Sequence, residues 1–493
     1  MPWRTCTAVL LIACTSALSA QGPRQIGEAQ RWYVIGSQHE AKRELIDAAR
    51  AYEEATRIDP RLAVAHDRLG FVYGLQGRTA DAVAQFELAR ELDPDLFDAQ
   101  YHLGATLWWT GETERALDAL DIAVRLRPDH ADARYYHGLA LKKRGELLAA
   151  IDELEESVRL NPSIAAAALQ LGIALQEAGD AEGAIAQLRR AVTLDPSSRE
   201  ARNGLGLALL QHGDGDAAIE TFQALVTDHP DFHAARLNLG TTFMQRGDLE
   251  RAEAVLRELI ARDPANAEAH YNLGVALKQK DDFAGAETVL RRAADLDPTL
   301  ADAPFTLGVV LWQTGRATDA VEAFRQAIAR RPAYDEAHYM LGTVLRQLGE
   351  TGAALTEFRE AVRLQPSSPE AHLSLGQLLQ QTGDRPAAAA AFEEARRLNE
   401  KKADVQASAF AVGVGRARAK EGDIAGAIGQ FQRAITLAPE NFEAHYELAK
   451  AFAAQRNVQD ARVHLAEARR LAPHLRFRDP ASAPRPRSRE PRP

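Results

Sequence analysis

The sequence predicts an all-α solenoid built from thirteen pairs of antiparallel helices. A proline recurs every 34 residues from Pro60 to Pro366. Glycine occupies position 8 of the period in twelve of the thirteen copies, and alanine occupies position 20 in all thirteen. A fixed period of this length is typical of repeat proteins, in which each copy is one small unit that stacks on its neighbours. These three positions therefore predict the fold before any single helix is assigned.

Each period contains two short helical segments. Residues 268–280 and 283–298, for example, both carry apolar residues at helical spacing, and polar residues separate the two halves. A helix of about twelve residues is only marginally stable alone in water. We therefore expect the two helices of a period to pack against each other and against the neighbouring periods.

The fixed positions indicate how the two helices meet. Glycine costs about 1 kcal/mol relative to alanine inside a helix, so its recurrence at position 8 predicts a close approach of the second helix. The alanine at position 20 fills the opposite side of that contact. Position 24 is large and apolar, as in Phe86, Leu120 and Phe222, and we expect it to occupy the space between adjacent pairs. The proline ends the second helix because it lacks an N–H and clashes with the preceding turn.

This combination resembles the tetratricopeptide repeat family, whose pattern W-x₂-L-G-x₂-Y…A-x₃-F…P has the same period. The resemblance covers about residues 29–475, and the first copy carries the family's tryptophan as Trp32, four residues before Gly36. The resemblance implies a right-handed superhelical solenoid of antiparallel helix pairs. It also implies a concave groove that is lined by the first helix of each pair.

The register of the repeats changes near residue 400. Copies 1–11 span residues 29–400, but Glu400 replaces the proline of the eleventh copy and five extra residues precede the twelfth. Residues 399–406 are polar and favour helix, so they could lengthen the eleventh pair or let the last two pairs tilt as a unit. We interpret residues 401–407 as an irregular insertion and a candidate hinge, followed by copies 12 and 13 at residues 408–475. Gly413 and Gly415 form a Gly-x-Gly that is too short for a phosphate loop, so we predict no nucleotide site there.

Both ends of the chain differ from the repeats. Residues 1–20 have the layout of a secretory signal, with a short apolar run and small residues before Gln21, and residues 21–28 form a short leader. The same segment resembles a bacterial lipoprotein signal in which Cys14 carries a lipid anchor, and a structural first helix is a third interpretation. We expect the Arg/Pro-rich tail at 476–493 to be disordered, either solvated or in contact with an acidic partner or anionic lipid.

Charge and composition argue against several classes of function. The chain has 59 basic and 69 acidic residues and a net charge of −10, which disfavours nucleic-acid binding because phosphate contacts require a basic surface. No segment after residue 20 has the length and apolarity of a membrane span. Both cysteines, Cys6 and Cys14, lie in the signal segment, so a chain cut after Ala20 has no thiol.

The sequence also lacks motifs for catalysis or cofactor binding. Walker, Gly-x-Ser-x-Gly and dinucleotide motifs are missing from it, and we predict no catalytic residue, no cofactor and no metal site. Histidine recurs at position 4 of five copies, as His66, His270, His338, His372 and His445. Because this recurrence follows the period, we attribute it to the repeat and not to metal binding.

The resemblance places the candidate binding residues on the first helices. In the family, positions 2, 5, 9 and 12 line the concave groove, and asparagines at position 6 form a ladder in the protein O-GlcNAc transferases. Tyrosine and tryptophan dominate binding hot spots, and the rarer tryptophans are the more informative residues here. An alternative for the tyrosines is packing against the adjacent pair. The candidate groove contacts are Tyr101, Trp108, Trp109, Tyr135, Asn238, Tyr271, Asn272, Phe305, Trp312 and Tyr339.

These observations predict a non-enzymatic scaffold that binds extended peptide or protein segments in its groove. We expect an exported protein of the bacterial envelope, periplasmic or associated with the outer membrane, that acts in envelope assembly or secretion. Two alternatives are a self-associating structural scaffold and a carbohydrate-binding subunit of a polysaccharide export or modification complex. In the second alternative the tryptophans stack on sugar rings.

Overall fold

The computed structural model describes residues 27–477 and 479–480, which form 25 α-helices and no strand. The predicted all-α class and the tandem succession of helix pairs are confirmed. The predicted signal segment with Cys14, the leader up to residue 26, and the tail beyond residue 480 lie outside the described residues. None of the described helices is long and apolar enough to cross a membrane.

The helices belong to two compact units. The first unit contains the described residues up to Ala178 together with Ala186–Ser197, and the second contains Gly179–Ile185 and the described residues from Ser198 onwards. Helix α10 (Ala181–Leu194) contributes to both. The other helices of the first unit are α1 Glu28–Ala41, α2 Leu45–Ile58, α3 Ala63–Leu75, α4 Thr79–Leu92, α5 Phe97–Thr110, α6 Thr113–Leu126, α7 Ala131–Arg144, α8 Leu147–Leu160 and α9 Ala165–Glu177.

The second unit continues the same alternation of first and second helices, with one long exception, α22. Its helices are α11 Arg199–His212, α12 Gly215–Asp228, α13 His233–Gln245, α14 Leu249–Arg262, α15 Ala267–Gln279, α16 Phe283–Leu296, α17 Asp302–Gln313, α18 Ala317–Arg330, α19 Asp335–Gln347, α20 Thr351–Leu364, α21 Pro369–Thr382, α22 Arg385–Lys420, α23 Ile424–Leu437, α24 Phe442–Ala454 and α25 Val458–Leu471.

The turn inside each pair has its own sequence signals. Asp248 and Asp282 precede second helices, and each carboxylate accepts a hydrogen bond from the backbone N–H three residues later, at 3.1 and 2.9 Å. Such an N-cap satisfies a donor that the helix itself leaves unpaired. Gly145 ends a first helix with φ of 91°, in the left-handed region that favours glycine. Short helices therefore start and stop at fixed places in the period.

The close approach predicted at position 8 is present within the pairs. A Cβ on Gly308 would lie 2.7 Å from the ring of Phe324, and a Cβ on Gly70 would lie 3.0 Å from the carbonyl oxygen of Ala82, at position 20. Phe324, at position 24, is fully buried. The position-24 side chain thus packs over the glycine of its own copy. In copy 2 this side chain also reaches the next pair, because the ring centroid of Phe86 lies 5.5 Å from that of His102, as expected for a residue between adjacent pairs.

The predicted irregular insertion at 401–407 is wrong. These residues are helical and lie inside α22, which runs unbroken from Arg385 to Lys420. Glu400 stands where the other copies have proline, so no residue removes a backbone N–H or clashes with the preceding turn. Lysine and alanine, which favour helix, follow it. The second helix of copy 11 therefore continues directly into the first helix of copy 12.

The chain after α25 is ordered further than predicted. Phe477 is 8% exposed, and its ring centroid lies 5.0 Å from that of Tyr446 and 6.0 Å from that of Phe442. The Arg469 guanidinium donates a hydrogen bond to the Phe477 carbonyl oxygen at 3.1 Å. The prediction that disorder begins at residue 476 is therefore wrong for this residue, which covers the apolar face of the last repeat.

Replacing a position-8 glycine should destabilise the chain. In Gly308→Ala the added methyl meets the Phe324 ring, and we expect a loss of about 1–3 kcal/mol because the packed pair must separate. The matched control is Gly429→Ala on α23, where a Cβ meets nothing within 4 Å among the described residues. This control should gain up to about 1 kcal/mol from helix propensity. Thermal unfolding followed by circular dichroism compares the two, and equal shifts would contradict the close-approach account.

Candidate functional site

The side chain at position 4 closes the turn between consecutive repeats. The Nε2 atoms of His66 and His338 each lie 3.1 Å from the carbonyl oxygen of the proline six residues earlier. Gln100 and Arg236 occupy the same position and donate to the corresponding proline carbonyls at 2.9 and 2.7 Å. A donor at position 4 thus satisfies a carbonyl that would otherwise be left unpaired at the end of a helix.

The hydrogen-bond partner of the second ring nitrogen, Nδ1, depends on which residue stands at position 23. Nδ1 of His66 lies 2.7 Å from Gln85 Oε1, and Nδ1 of His338 lies 2.6 Å from Glu357 Oε2. In the copy of His270 this position is Val289, and the buried Nδ1 of His270 has no hydrogen-bond partner among the described residues. The recurring histidines are therefore part of the repeat turn.

One cluster of side chains in the described part of the chain has the residue types that could hold a metal ion. It contains His39, Glu44 and Asp47, and His39 Nδ1 lies 2.6 Å from Glu44 Oε2. The two carboxylates are exposed. Clusters of this kind are common on surfaces without an ion, so the cluster carries no functional assignment.

Removing the hydrogen-bond donor at position 4 should lower the free energy of unfolding more than replacing it by another donor. His338→Ala leaves the Pro332 carbonyl and Glu357 without their partner, and we expect a loss of about 1–3 kcal/mol. His338→Gln should retain most of the stability, because Gln100 makes the equivalent bond in copy 3. Urea unfolding measures both variants. A glutamine variant as unstable as the alanine variant would contradict the role of the proline carbonyl.

Positions 5 and 6 form contacts between successive first helices. Asn238 at position 6 donates to Asn203 at position 5 of the preceding copy, at 2.9 Å. The Tyr339 and Ser374 hydroxyls, 35 residues apart, are 3.5 Å from each other. Asn238 and Tyr339, two of the predicted groove contacts, therefore form hydrogen bonds with neighbouring repeats of the same chain.

Other predicted groove residues also pack within the protein. Tyr101 is only 6% exposed and stacks on Phe97, with ring centroids 5.8 Å apart. Phe305 contacts Tyr334 at a centroid distance of 4.9 Å. Tyr271 is half-buried, and this burial raises its pKa above the usual range. These rings offer a ligand much less surface than the sequence alone suggested.

The remaining predicted contacts lie in the second unit. Trp312 is half-buried, and its indole N–H donates to the Gln347 side chain on the next first helix at 2.8 Å. Asn272 is half-buried on α15.

The first helices of copies 3 and 4 carry a cluster of four aromatic side chains. We call Trp108, Trp109, Tyr135 and Tyr136 the aromatic surface. Trp109 is 51% exposed, and its ring meets Trp108 edge-on at 5.1 Å. Trp108 also meets Tyr136 at 5.9 Å, and Tyr135 meets Tyr136 at 5.1 Å. Four rings on α5 and α7 thus hold one another in place.

Two properties determine what the aromatic surface can do. The indole nitrogen of Trp108 is buried and has no hydrogen-bond partner among the described residues. Burial raises the pKa of Tyr135 well above the usual range of a phenol, so its hydroxyl is neutral at physiological pH. The surface therefore offers ring faces and the neutral Tyr135 hydroxyl, which suit binding.

The sequence analysis missed Tyr136, whose ring contacts those of both Trp108 and Tyr135. It stands at position 6, a position for which only asparagine was considered. The consecutive Tyr135 and Tyr136, one repeat after consecutive Trp108 and Trp109, were the available signal. Such a local concentration of aromatic residues distinguishes copies 3 and 4 from the rest of the array.

His130 supports this region from the turn before α7. Its Nδ1 accepts a hydrogen bond from the Ala133 N–H at 3.1 Å, and its ring lies 4.7 Å from Phe97 and 5.0 Å from Tyr101. Burial among these rings lowers the pKa of the imidazole. The cap requires the neutral ring, because a protonated Nδ1 cannot accept.

The stability contributed by His130 should depend on pH. Since the folded pKa is lowered from 6.5, this contribution is present above pH 6.5 and is lost as the pH falls through the folded value. His130→Asn keeps a side-chain acceptor at the cap but does not titrate. We expect the unfolding temperature of the unmodified chain to fall more between pH 7.5 and 5.5 than that of the variant. Equal pH dependence would show that His130 is not responsible.

Several solved structures are similar to the chain. The crystal structure of MamA is 28% identical over 34% of this chain and 96% of its own, with a TM-score of 0.32. YrrB, described as a TPR protein with an unusual peptide-binding site, is 23% identical over 38% of this chain and 96% of its own, with a TM-score of 0.36. The APC/C hetero-tetramer Cut9–Hcn1 is 16% identical over 91% and 94%, with a TM-score of 0.33. Because these TM-scores are below 0.5, the likenesses carry no argument about function.

Family models match most of the repeat array. The model of the C-terminal domain of cilia and flagella-associated protein 70 matches residues 174–411, and two models of the tetratricopeptide repeat match residues 103–163 and 415–455. No curated protein sequence matches the chain. Together with the helix pairs and their 34-residue period, the family matches show that the chain belongs to the tetratricopeptide repeat family.

Proposed function

We propose that the chain is a non-enzymatic scaffold that binds an extended peptide or protein segment along the first helices of copies 3 and 4. The observation that carries the proposal is the aromatic surface, where Trp109 is 51% exposed although its ring contacts that of Trp108. An exposed indole on a rigid helical support offers large contact area at low entropy cost.

Position 2 of the first helices is often acidic, as in Asp98 of copy 3 and Asp132 of copy 4. Asp98 forms an ion pair with Arg127 at 3.6 Å, so part of this negative charge is neutralised within the protein. The proposal therefore assigns ligand selection to aromatic contact.

Carbohydrate binding is the second candidate function, because an exposed indole face also suits a sugar ring. The same exposure of Trp109 favours it. The two candidates differ in the ligand and not in the site. A titration with both ligand classes therefore decides between them.

Export to the bacterial envelope is a further part of the proposal. It is supported by the sequence of residues 1–20, with Cys14 and the small residues before Gln21. The intact mass of the protein purified from its native cells tests it. A chain starting at Gln21 indicates simple cleavage, a lipid-modified chain starting at Cys14 indicates an anchor, and an uncut chain contradicts export by this route.

Trp109→Ala should weaken peptide binding by at least about tenfold, or about 1.4 kcal/mol. The probes are a pool of fluorescein-labelled random dodecapeptides, followed by anisotropy, and maltohexaose and cellohexaose, followed by intrinsic tryptophan fluorescence. Leu148→Ala is the matched control, because Leu148 is an exposed apolar residue on the second helix α8, and it should change affinity less than twofold. A response to the sugars alone would favour the second candidate, and no response to either class would contradict both.

A further inference from the structure

The unbroken helix α22 leaves one face of copy 12 uncovered. Position 3 is alanine in copies 2–11 and in copy 13, and its exposed fraction there is at most 2%. In copy 12 this position is Phe410, which is 75% exposed. Every described copy that follows an ordinary turn thus buries position 3, whereas copy 12 presents a phenylalanine to solvent.

Position 10 shows the same difference on the same face. Positions 3 and 10 are seven residues, or about two turns, apart. Position 10 is at most 4% exposed in copies 2–11 and 13, as in Val344 and Leu378, but Ala417 of copy 12 is exposed. Between these positions, a Cβ on Gly413 would meet nothing within 4 Å among the described residues. Phe410, Gly413 and Ala417 form what we call the open face of copy 12.

Copy 11 has the complementary open face. Its position-5 residue, Leu373, is 42% exposed, whereas position 5 is buried or half-buried in every other described copy. In copy 13, Phe477 covers this position by packing on Tyr446. Ala389 at position 21 is also exposed, although the equivalent Ile151 is fully buried. Leu373 and Ala389 form the open face of copy 11.

The length of the unbroken helix α22 separates the two open faces within one chain. Leu398 is the last buried residue of copy 11 on this helix and Ser408 is the first of copy 12. All nine residues between them, 399–407, are exposed. Ten residues of helix separate the two repeats by about 15 Å along its axis, so copy 12 cannot stack on copy 11 of the same chain.

We propose that a second copy of this chain covers both open faces. Copy 12 of one molecule stacks on copy 11 of its partner in the ordinary manner of consecutive repeats, and the exchange is reciprocal. In an ordinary stack, position 5 of one copy contacts position 6 of the next copy. In the proposed dimer, Leu373 at position 5 of one molecule lies against Gly413 at position 6 of the other, where the missing side chain leaves room for leucine. Each molecule provides one face of each kind, so a two-fold dimer buries all of them and closes the assembly.

Engineered cysteines test the contact directly in the full chain with Cys6 and Cys14 replaced by serine. Leu373→Cys and Gly413→Cys, introduced into separate molecules and mixed under mild oxidation, should give a disulfide-linked species of twice the monomer mass. Neither single variant should cross-link alone. The matched control is Asn203→Cys with Asn238→Cys in one chain, the same pair of positions in an ordinary stack, which should cross-link within the chain.

The other outcomes each overturn the proposal. Cross-linking of Gly413→Cys alone would show that two α22 helices pack face to face. An intramolecular disulfide in a chain carrying both cysteines would show that α22 bends and that copy 12 covers copy 11 of its own chain. The absence of any cross-link, when the control pair reacts, would show that the open faces stay uncovered.

Sedimentation equilibrium of the full chain provides the second measurement. We expect Phe410→Asp to convert a dimer into a monomer at the same concentration, because a carboxylate replaces the apolar centre of the open face. Val405→Asp is the control, since Val405 is 48% exposed on the same helix but lies about 140° around it from Phe410. It should leave the dimer intact. A monomeric unmodified chain, or a dimer that Phe410→Asp leaves unchanged, would contradict the proposal independently of any ligand binding at Trp109.

Discussion

The close approach of two short helices at position 8 is the constraint on which the rest of this structure depends. Gly308 lets the ring of Phe324 lie directly over the backbone of the first helix, and the same arrangement recurs along the array. A helix of this length is not stable alone, so each pair gains its stability from this contact and from its neighbours. The period of the sequence is therefore a direct consequence of one packing requirement, which twelve of the thirteen copies meet with glycine.

The period predicted the parts of the structure that every copy must satisfy. Glycine at position 8, alanine at position 20 and the proline fixed the helix pairs and the turns between them. The loss of the proline at Glu400 indicated the place of a change in register. The polar, helix-favouring residues after it left two interpretations open, a longer eleventh pair or a hinge. The irregular insertion at 401–407 was the wrong one, because Lys401 and the residues after it extend the helix.

Contacts between copies were much harder to predict, because they depend on two positions in different repeats. Tyr101 looked like a groove residue, yet Phe97 and His130 enclose it. Asn238 looked like a ligand contact, yet it is paired with Asn203. In each case the deciding neighbour stands in another turn or another repeat. The exposure of Trp109 did not depend on such a neighbour, because Trp109 lies outside the positions that neighbouring repeats cover.

A repeat array has two ways to end a stack, and this chain uses both. After copy 13 a short segment folds back, and Phe477 covers the last apolar face with a local contact. At copies 11 and 12 the chain instead continues as one helix, so no local segment covers Leu373 or Phe410. The ordinary stacks of this chain bury position 3 in copies 2–11 and 13, whereas Phe410 is 75% exposed at the same position. The apolar residues at the internal break therefore point to a stack that is completed by another molecule.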